Sequence, residues 1–331
     1  MKKLKVVQIG AEHDHACDIM KTMLNLPQIF EVVGYAIPDG EKNIHPEFYQ
    51  NVSLLSVDEA LNFPDIDAII VETSEINLTK YAIEAVKRGV AVHMDKPGGL
   101  CLSDFETLIN TAKQNNSVLH FGYMYRYNPA VLDLLNDIKL GKLGEIYSVE
   151  AQMNCMHTKE KRQWLDKFKG GQMFYLGCHL IDLIFTIMGS PKEVIPLNCS
   201  TAIDGVTAED FGMAVLKYDN GVSFAKTCAV EPCGFMRRQL VVSGSKGSVQ
   251  LLPFEAYDGD GVYTSVRKSY DNIFDWGSDG EKYRTETFDR YITMMTSFAS
   301  FVRGEKTNPY TYDYELELYK LLLKCCNMEG K

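Results

Sequence analysis

Between residues 4 and 121, short apolar runs alternate with helix-periodic segments, and this alternation restricts the possible folds more than any other feature. The runs at residues 4–9, 31–37, 52–55, 68–71, 90–94 and 118–121 read as strands. Pro38-Asp39-Gly40 breaks the second, and Pro64-Asp65 precedes the fourth. Between the runs lie segments with a single apolar face. Ile19, Met20, Met23 and Leu24 mark one helix. Leu78, Tyr81, Ala82, Ala85 and Val86 mark another by their i, i+3, i+4, i+7 and i+8 spacing, and Gly89 ends it. Ser103 and Glu106 predict a capping box for a third, carrying Phe105, Leu108, Ile109 and Ala112. Strands alternating with helices of this length give βαβ units and a parallel sheet. Residues 1–123 therefore predict a doubly wound parallel α/β domain of Rossmann type.

Beyond residue 123 the pattern changes. Asn128-Pro129 opens a helix bearing Val131, Leu132, Leu135 and Ile138 that ends near Gly141. A long strand follows at 146–156, and Gly170-Gly171 precedes a strongly apolar helix at 173–188. The runs at 211–218 and 222–225 flank Asp219-Asn220-Gly221, a strong hairpin signal. A second hairpin is expected for 239–243 and 248–252 around Gly244-Ser245-Lys246-Gly247. Residues 255–285, polar and rich in Asp, Gly and Tyr, read as irregular loop, and helices near 287–303 and 313–328 close the chain. Residues 124–331 thus predict an α+β domain with a mostly antiparallel open sheet.

A net charge of −10 disfavours nucleic acid and anionic membranes as partners. No apolar run approaches the ~20 residues of a membrane span, and the N-terminus runs directly into a strand with no signal-peptide core. Nine cysteines without Cys-x-x-Cys spacing suit free thiols in a reducing compartment, and the Cys325-Cys326 pair reads as packing. The expected location is cytoplasmic.

Open parallel sheets bind ligands outside the carboxyl ends of their strands, so the residues following each strand carry the functional argument. Val92-His93-Met94-Asp95-Lys96-Pro97 closes the fifth strand and delivers Lys96 to that crevice, the alternative being a surface lysine in a strand-ending turn. Glu12-His13-Asp14-His15, after the first strand, raises the possibility of a metal-dependent barrel hydrolase, and His93 and His120 keep it open. A barrel of eight βα units is incompatible with the hairpins of the second half, so no metal is expected. On the 173–188 helix, Tyr175, His179 and Asp182 fall on one face. His179 is either an acid–base group or a buried histidine satisfied by Asp182. Tyr175 is either a relay group or a packed aromatic. Arg126 binds a ligand or forms a structural ion pair. The Lys159-Glu160-Lys161-Arg162 run beside Trp164 reads as a mobile solvated loop, and Arg237-Arg238 as two solvated arginines at a strand start.

Four motifs occur in order: Asp95-Lys96-Pro97, Tyr125-Arg126-Tyr127-Asn128-Pro129, Leu143-Gly144-Glu145-Ile146, and Gly170-Gly171 leading to His179 and Asp182. Together they resemble the Glu-Lys-Pro, Arg-Phe-Asn-Pro, Leu-Gly-Glu-Ile and glycine-rich catalytic segments of the Gfo/Idh/MocA family of NAD(P)-dependent oxidoreductases. The chain departs from that family at several points. Of the Gly-x-Gly-x-x-Gly phosphate loop only Gly10 remains in Gly10-Ala11-Glu12-His13-Asp14-His15. Ile37 stands where an acid holds the ribose hydroxyls, with Asp39 as an imperfect substitute. Thr73-Ser74, followed by Glu75, replaces Thr-Pro, and Tyr175 replaces the aspartate four residues before His179.

The resemblance implies NAD or NADP as cofactor, bound by Gly10, Ala11, Glu12, His13, His15, Ile37, Thr73, Ser74, Asp95, Lys96, Pro97 and Arg126. It implies a sugar, polyol or related hydroxy compound as small-molecule substrate, bound by Lys96, Arg126, His179 and Asp182, with Lys96, His179 and Tyr175 catalytic. It also implies a homo-oligomer, dimer or tetramer, through the C-terminal sheet. Two other outcomes remain open. One is a hydrolase or lyase that oxidises a sugar transiently on tightly held NAD. The other is a member without turnover that serves as a ligand-binding or regulatory protein.

Overall fold

In the computed structural model, residues 2–259, 261–270 and 280–328 are described. The apolar runs of the first half form the parallel strands β1 (Leu4–Ile9), β2 (Phe30–Ala36), β3 (Leu54–Leu55), β4 (Ala68–Val71), β5 (Ala91–Met94) and β6 (Leu119–Phe121). The connecting helices are α1 (Ala16–Leu24), α2 (Val57–Leu61), α3 (Leu78–Val86) and α4 (Leu102–Asn115). The sheet order is β3-β2-β1-β4-β5-β6, so strand direction of travel reverses between β1 and β4. Such a switch point opens the ligand crevice of a doubly wound sheet. The central strand β4 reads as a continuous apolar run, as expected of a strand buried on both faces; Val6, Val7 and Ile9 of β1 and all of β4 are fully buried. The capping box expected at Ser103 does not form. The helix α4 starts two residues earlier, with Cys101 at its N-cap, which places Ser103 inside the first turn. A capping box occurs instead at Ser56 and Glu59 of α2.

The second half begins with α5 (Pro129–Lys139), whose N-cap Asn128 accepts the amide protons of Ala130 and Val131. It continues with β7 (Ile146–Asn154), α6 (Lys159–Trp164), α7 (Cys178–Met188), β8 (Glu193–Pro196), β9 (Phe211–Lys217) and β10 (Val222–Cys228). Then follow β11 (Gln239–Gly244), β12 (Gly247–Leu251), β13 (Ala256–Tyr257), β14 (Val262–Tyr263), β15 (Ser265–Tyr270) and β16 (Glu281–Arg284). Eight of these strands make one sheet in the order β16-β15-β12-β11-β7-β10-β9-β8. Only the β7–β10 pairing within it is parallel, and both expected hairpins are present. One row of paired residues, Ala214, Ala225, Ala151 and Leu240, is buried, and its small side chains let α7 lie on β7 and β10. The neighbouring row, Val215, Phe224, Glu150 and Val241, points to the other, half-exposed face.

Three sequence expectations change here. Residues 255–285 are not wholly loop: β15 and β16 extend the sheet, while residues 271–279 lie outside the described residues. The strand was hidden because its polar groups are satisfied by ion pairing. Lys268 and Tyr270 reach Asp137, and Lys268 and Tyr283 reach Asp133, both on α5. The Lys159–Arg162 run forms α6, with Arg162 buried against Asp204 and Asp210. Arg238 is also buried, on Glu255, while Arg237 stays exposed with Glu231.

Helices α8 (Ile292–Val302) and α9 (Tyr312–Cys325) complete the chain. The chain divides into one unit of Met1–Met124 with Tyr291–Tyr319, and another of Tyr125–Arg290 with Lys320–Lys331. A contiguous division at residue 123 therefore omits a returning segment from the first unit. Its apolar face explains the return: Phe298 of α8 stacks on His120 at 5.3 Å, and the Arg303 guanidinium donates to the carbonyls of Lys2 and Ile29. No described helix is long and apolar enough to cross a membrane.

Candidate active site

In the first unit, the strand ends bring most of the expected cofactor residues together. Gly10 has φ +95°, and a Cβ there would lie 2.3 Å from the Thr73 amide nitrogen, so the turn after β1 presses directly on the end of β4. This explains why the first glycine of the phosphate loop is the one retained. The Ala11 carbonyl accepts the Ile44 amide at 3.3 Å, and the Glu12 carboxylate accepts the Lys42 amide at 3.0 Å. Glu12 is thereby turned toward the loop after β2 and does not project along its own turn. Ile37 is half-buried at the end of β2, and Asp39 is exposed. Thr73 and Ser74 are buried after β4.

The loop after β2 contributes a residue that sequence reasoning missed. One oxygen of Glu41 accepts the Ser74 amide at 3.1 Å, the Ser74 hydroxyl at 2.9 Å and the Asn77 amide at 2.8 Å. Its other oxygen, Oε2, is buried without a hydrogen-bond partner, and burial pushes the carboxyl pKa up. A carboxylate oxygen with spare acceptor capacity beside the switch point is what a ribose hydroxyl requires, and it stands four residues beyond the position occupied by Ile37. The donors and acceptors present thus fit a nicotinamide dinucleotide: Gly10 packs on Thr73, and Glu41 accepts from the adjacent Ser74.

At the end of β5, Lys96 is 1% exposed and its amide donates to Asp95 Oδ1 at 2.6 Å. The Lys96–Pro97 peptide is cis. Lys96 is therefore not the surface lysine of the alternative reading. Asp95 is fully buried, and Gly122 makes room for it: a Cβ at Gly122 would lie 2.7 Å from Asp95 Oδ1. His15 Nδ1 lies 3.0 Å and His13 Nδ1 3.5 Å from Asp95 Oδ2. Burial disfavours the Asp95 carboxylate, but His13, His15 and Lys96 outweigh it and hold its pKa well below the usual range. Burial lowers the His13 pKa to about 3, outweighing the opposite pull of Asp95. Glu72, the residue directly after β4, faces the same group and was also missed. A charged residue at the end of a fully buried strand was the available signal.

In the second unit, α7 is preceded by a π-turn over Met173–Gly177, which replaces the regular first turn expected there. The wider turn alters the register between Tyr175 and His179, so they no longer sit as ordinary i, i+4 neighbours. The Tyr175 ring meets Trp164 edge-on at 5.2 Å, with Lys161 Nζ 4.6 Å from its centroid. His179, 1% exposed, meets Tyr125 edge-on at 4.8 Å. Arg126 clamps Asp182 through contacts of 2.9, 3.1 and 2.7 Å. Arg126 and Asp182 therefore form a buried ion pair. The Tyr125 hydroxyl donates to Glu255 at 2.6 Å, and Arg238 and Arg290 bind the same carboxylate.

Comparison with known proteins matches both halves. Residues 6–123 fit the profile of an oxidoreductase family with an NAD-binding Rossmann fold, and residues 134–250 fit that of the GFO/IDH/MocA C-terminal domain. The chain is 22% identical over 285 residues to scyllo-inositol 2-dehydrogenase (NADP(+)) IolW of Bacillus subtilis, covering 80% of this chain and 77% of that one. It is 27% identical over 221 residues to the uncharacterized oxidoreductase YhhX of Escherichia coli; the match covers 66% of this chain but only 61% of YhhX. The crystal structure of aldose-aldose oxidoreductase from Caulobacter crescentus, complexed with glycerol, superposes with a TM-score of 0.79 at 17% identity, covering 100% and 99% of the two chains. At that identity the likeness establishes the fold alone.

Proposed function

Because the chain belongs to the Gfo/Idh/MocA family of NAD(P)-dependent oxidoreductases, we propose that it moves hydride between a nicotinamide and a secondary hydroxyl or ketone of a sugar, polyol or related compound. The observation that carries this reading is Lys96, a buried lysine at the carboxyl end of β5. The substrate class is supported by one relative, an inositol dehydrogenase.

The nicotinamide, when bound, accepts or supplies the hydride. Lys96 Nζ donates a hydrogen bond to the substrate oxygen on which negative charge develops, the contribution typical of an oxyanion donor. A ring nitrogen of His179 takes the hydroxyl proton in oxidation and returns it in reduction, the general acid–base role of an imidazole. The Tyr175 phenol stands where the family has aspartate and serves the same proton path. Glu41 Oε2 accepts a ribose hydroxyl. A carboxylate there repels a 2′-phosphate, so NAD is the preferred partner.

The test combines binding and turnover. Calorimetric titration is expected to show NADH binding more tightly than NADPH, with Glu41→Gln narrowing the difference. Lys96→Met keeps most of the apolar stem and is expected to lower kcat ~10²-fold or more while NADH still binds. Unchanged kcat in that variant contradicts the role of Lys96. Failure of folded wild-type protein to bind either nucleotide contradicts the whole reading.

A further inference from the structure

Two histidines of the turn after β1, a carboxylate at the end of β5 and a second carboxylate at the end of β4 converge in the first unit. The ligand atoms of His13, His15 and Asp95 all lie within 4.8 Å of one another. The closest separations are 3.0 Å from His15 Nδ1 to Asp95 Oδ2 and 3.5 Å from His13 Nδ1 to the same oxygen. Tetrahedral ligands at zinc–nitrogen and zinc–oxygen bonds of 2.0–2.2 Å stand roughly 3.3–3.6 Å apart. Glu72 Oε2 lies 3.8 Å from His13 Nδ1. Glu72 is fully buried, and neither of its oxygens has a hydrogen-bond partner.

We propose that His13, His15 and Asp95, with Glu72 as fourth ligand, form a binding site for a divalent first-row transition ion of the zinc class. Two imidazoles with carboxylates select such an ion over magnesium or calcium, which prefer oxygen-only sites. The orientation of His13 is that of a metal ligand. Its Nε2 lies 3.1 Å from the Lys96 carbonyl, an acceptor only, so the ring proton is on Nε2 and the Nδ1 lone pair faces the cluster. Donation of the outer ring N–H to a backbone carbonyl is the usual way a protein aims a ligating histidine. The His15 amide donates to the same Nδ1 at 3.2 Å, which holds the lone pair in place when no ion is bound.

The ion also resolves an electrostatic conflict. Two buried carboxylates, Glu72 and Asp95, face each other. A divalent cation neutralises that repulsion and gives the unpartnered Glu72 carboxylate a partner. It further ties the turn at residues 10–15 to the ends of β4 and β5, replacing by coordination the order that a glycine-rich phosphate loop obtains from its backbone. This site does not depend on the hydride-transfer reading, and the catalytic groups proposed there include none of its ligands.

The experiment uses the full-length chain, stripped with a chelator and titrated with Zn²⁺ alone, with Co²⁺ as spectroscopic probe. One equivalent of Zn²⁺ per chain is expected, with a raised thermal midpoint, and Co²⁺ should develop visible d–d bands. The His15 side chain is 14% exposed, so His15→Ala opens no sealed cavity. That variant is expected to bind Zn²⁺ about 100-fold more weakly or worse while melting, metal-free, at the stripped wild-type temperature. Asp95→Asn should abolish the Co²⁺ bands; if it fails to fold, His15→Ala decides alone. Absence of Zn²⁺ binding, or binding of equal affinity in wild type and His15→Ala, overturns the proposal.

Discussion

At the residue scale, neighbours decide between roles that the sequence leaves open. Arg126 and Asp182 were each compatible with ligand binding, and their mutual clamp explains both without one. Breaking a buried ion pair from one side leaves an uncompensated charge, so Asp182→Ala is expected to destabilise the fold by about 3–5 kcal/mol, read by urea denaturation. A loss below 1 kcal/mol, with substrate KM raised, would instead return Asp182 to the substrate. Tyr175 is less settled by its surroundings, because Trp164 and Lys161 cover its ring while its position is that of the family aspartate. If the phenol carries protons, Tyr175→Phe lowers kcat ~10²-fold with NADH affinity unchanged. An unchanged kcat makes it a packing residue of the π-turn. Neither Glu41 nor Glu72 stood out in the sequence, for different reasons. Glu41 lies in a polar loop where carboxylates are common, whereas Glu72 was detectable as a charge ending a buried strand.

At the scale of elements, the parallel strands and both hairpins were legible because apolar periodicity and turn residues act locally. The strand β15 was not, since its polar side chains are neutralised by carboxylates more than a hundred residues earlier in sequence, on α5. The π-turn before α7 was equally invisible, because residues 173–188 carry an unbroken helical pattern. A pH effect belongs to the β5–β6 pair. His93 and His120 meet through their Nδ1 atoms at 2.7 Å, and burial lowers the His93 pKa to about 4. An unfolded histidine titrates near 6.5, so between those values the unfolded chain binds the additional proton. The contribution of His93 is therefore fully present above pH 6.5 and is lost progressively as pH falls toward 4. Urea midpoints measured from pH 7 to pH 5 are expected to fall less steeply in His93→Asn than in wild type. Parallel slopes would show that His93 titrates alike in the folded and unfolded chains.

At the scale of the whole molecule, the change of sequence pattern near residue 123 falls beside the edge of a compact unit at Met124, but the return of residues 291–319 to that unit has no local signal in the sequence. Helices α8 and α9 carry apolar faces without any local signal of which sheet they serve, and the pairing of Phe298 with His120 appears only in three dimensions. Hydride transfer is the central claim, and isotope transfer tests it most directly. Nicotinamide cofactor deuterated at C4 would be incubated with the full-length protein and a panel of keto-sugars and oxidised polyols, and the products analysed by mass spectrometry. Deuterium is expected on a single carbon of a hydroxy product, with the rate falling ~10²-fold or more in Lys96→Met. Bound cofactor with no deuterium in any product across the panel would contradict hydride transfer as the activity of this chain.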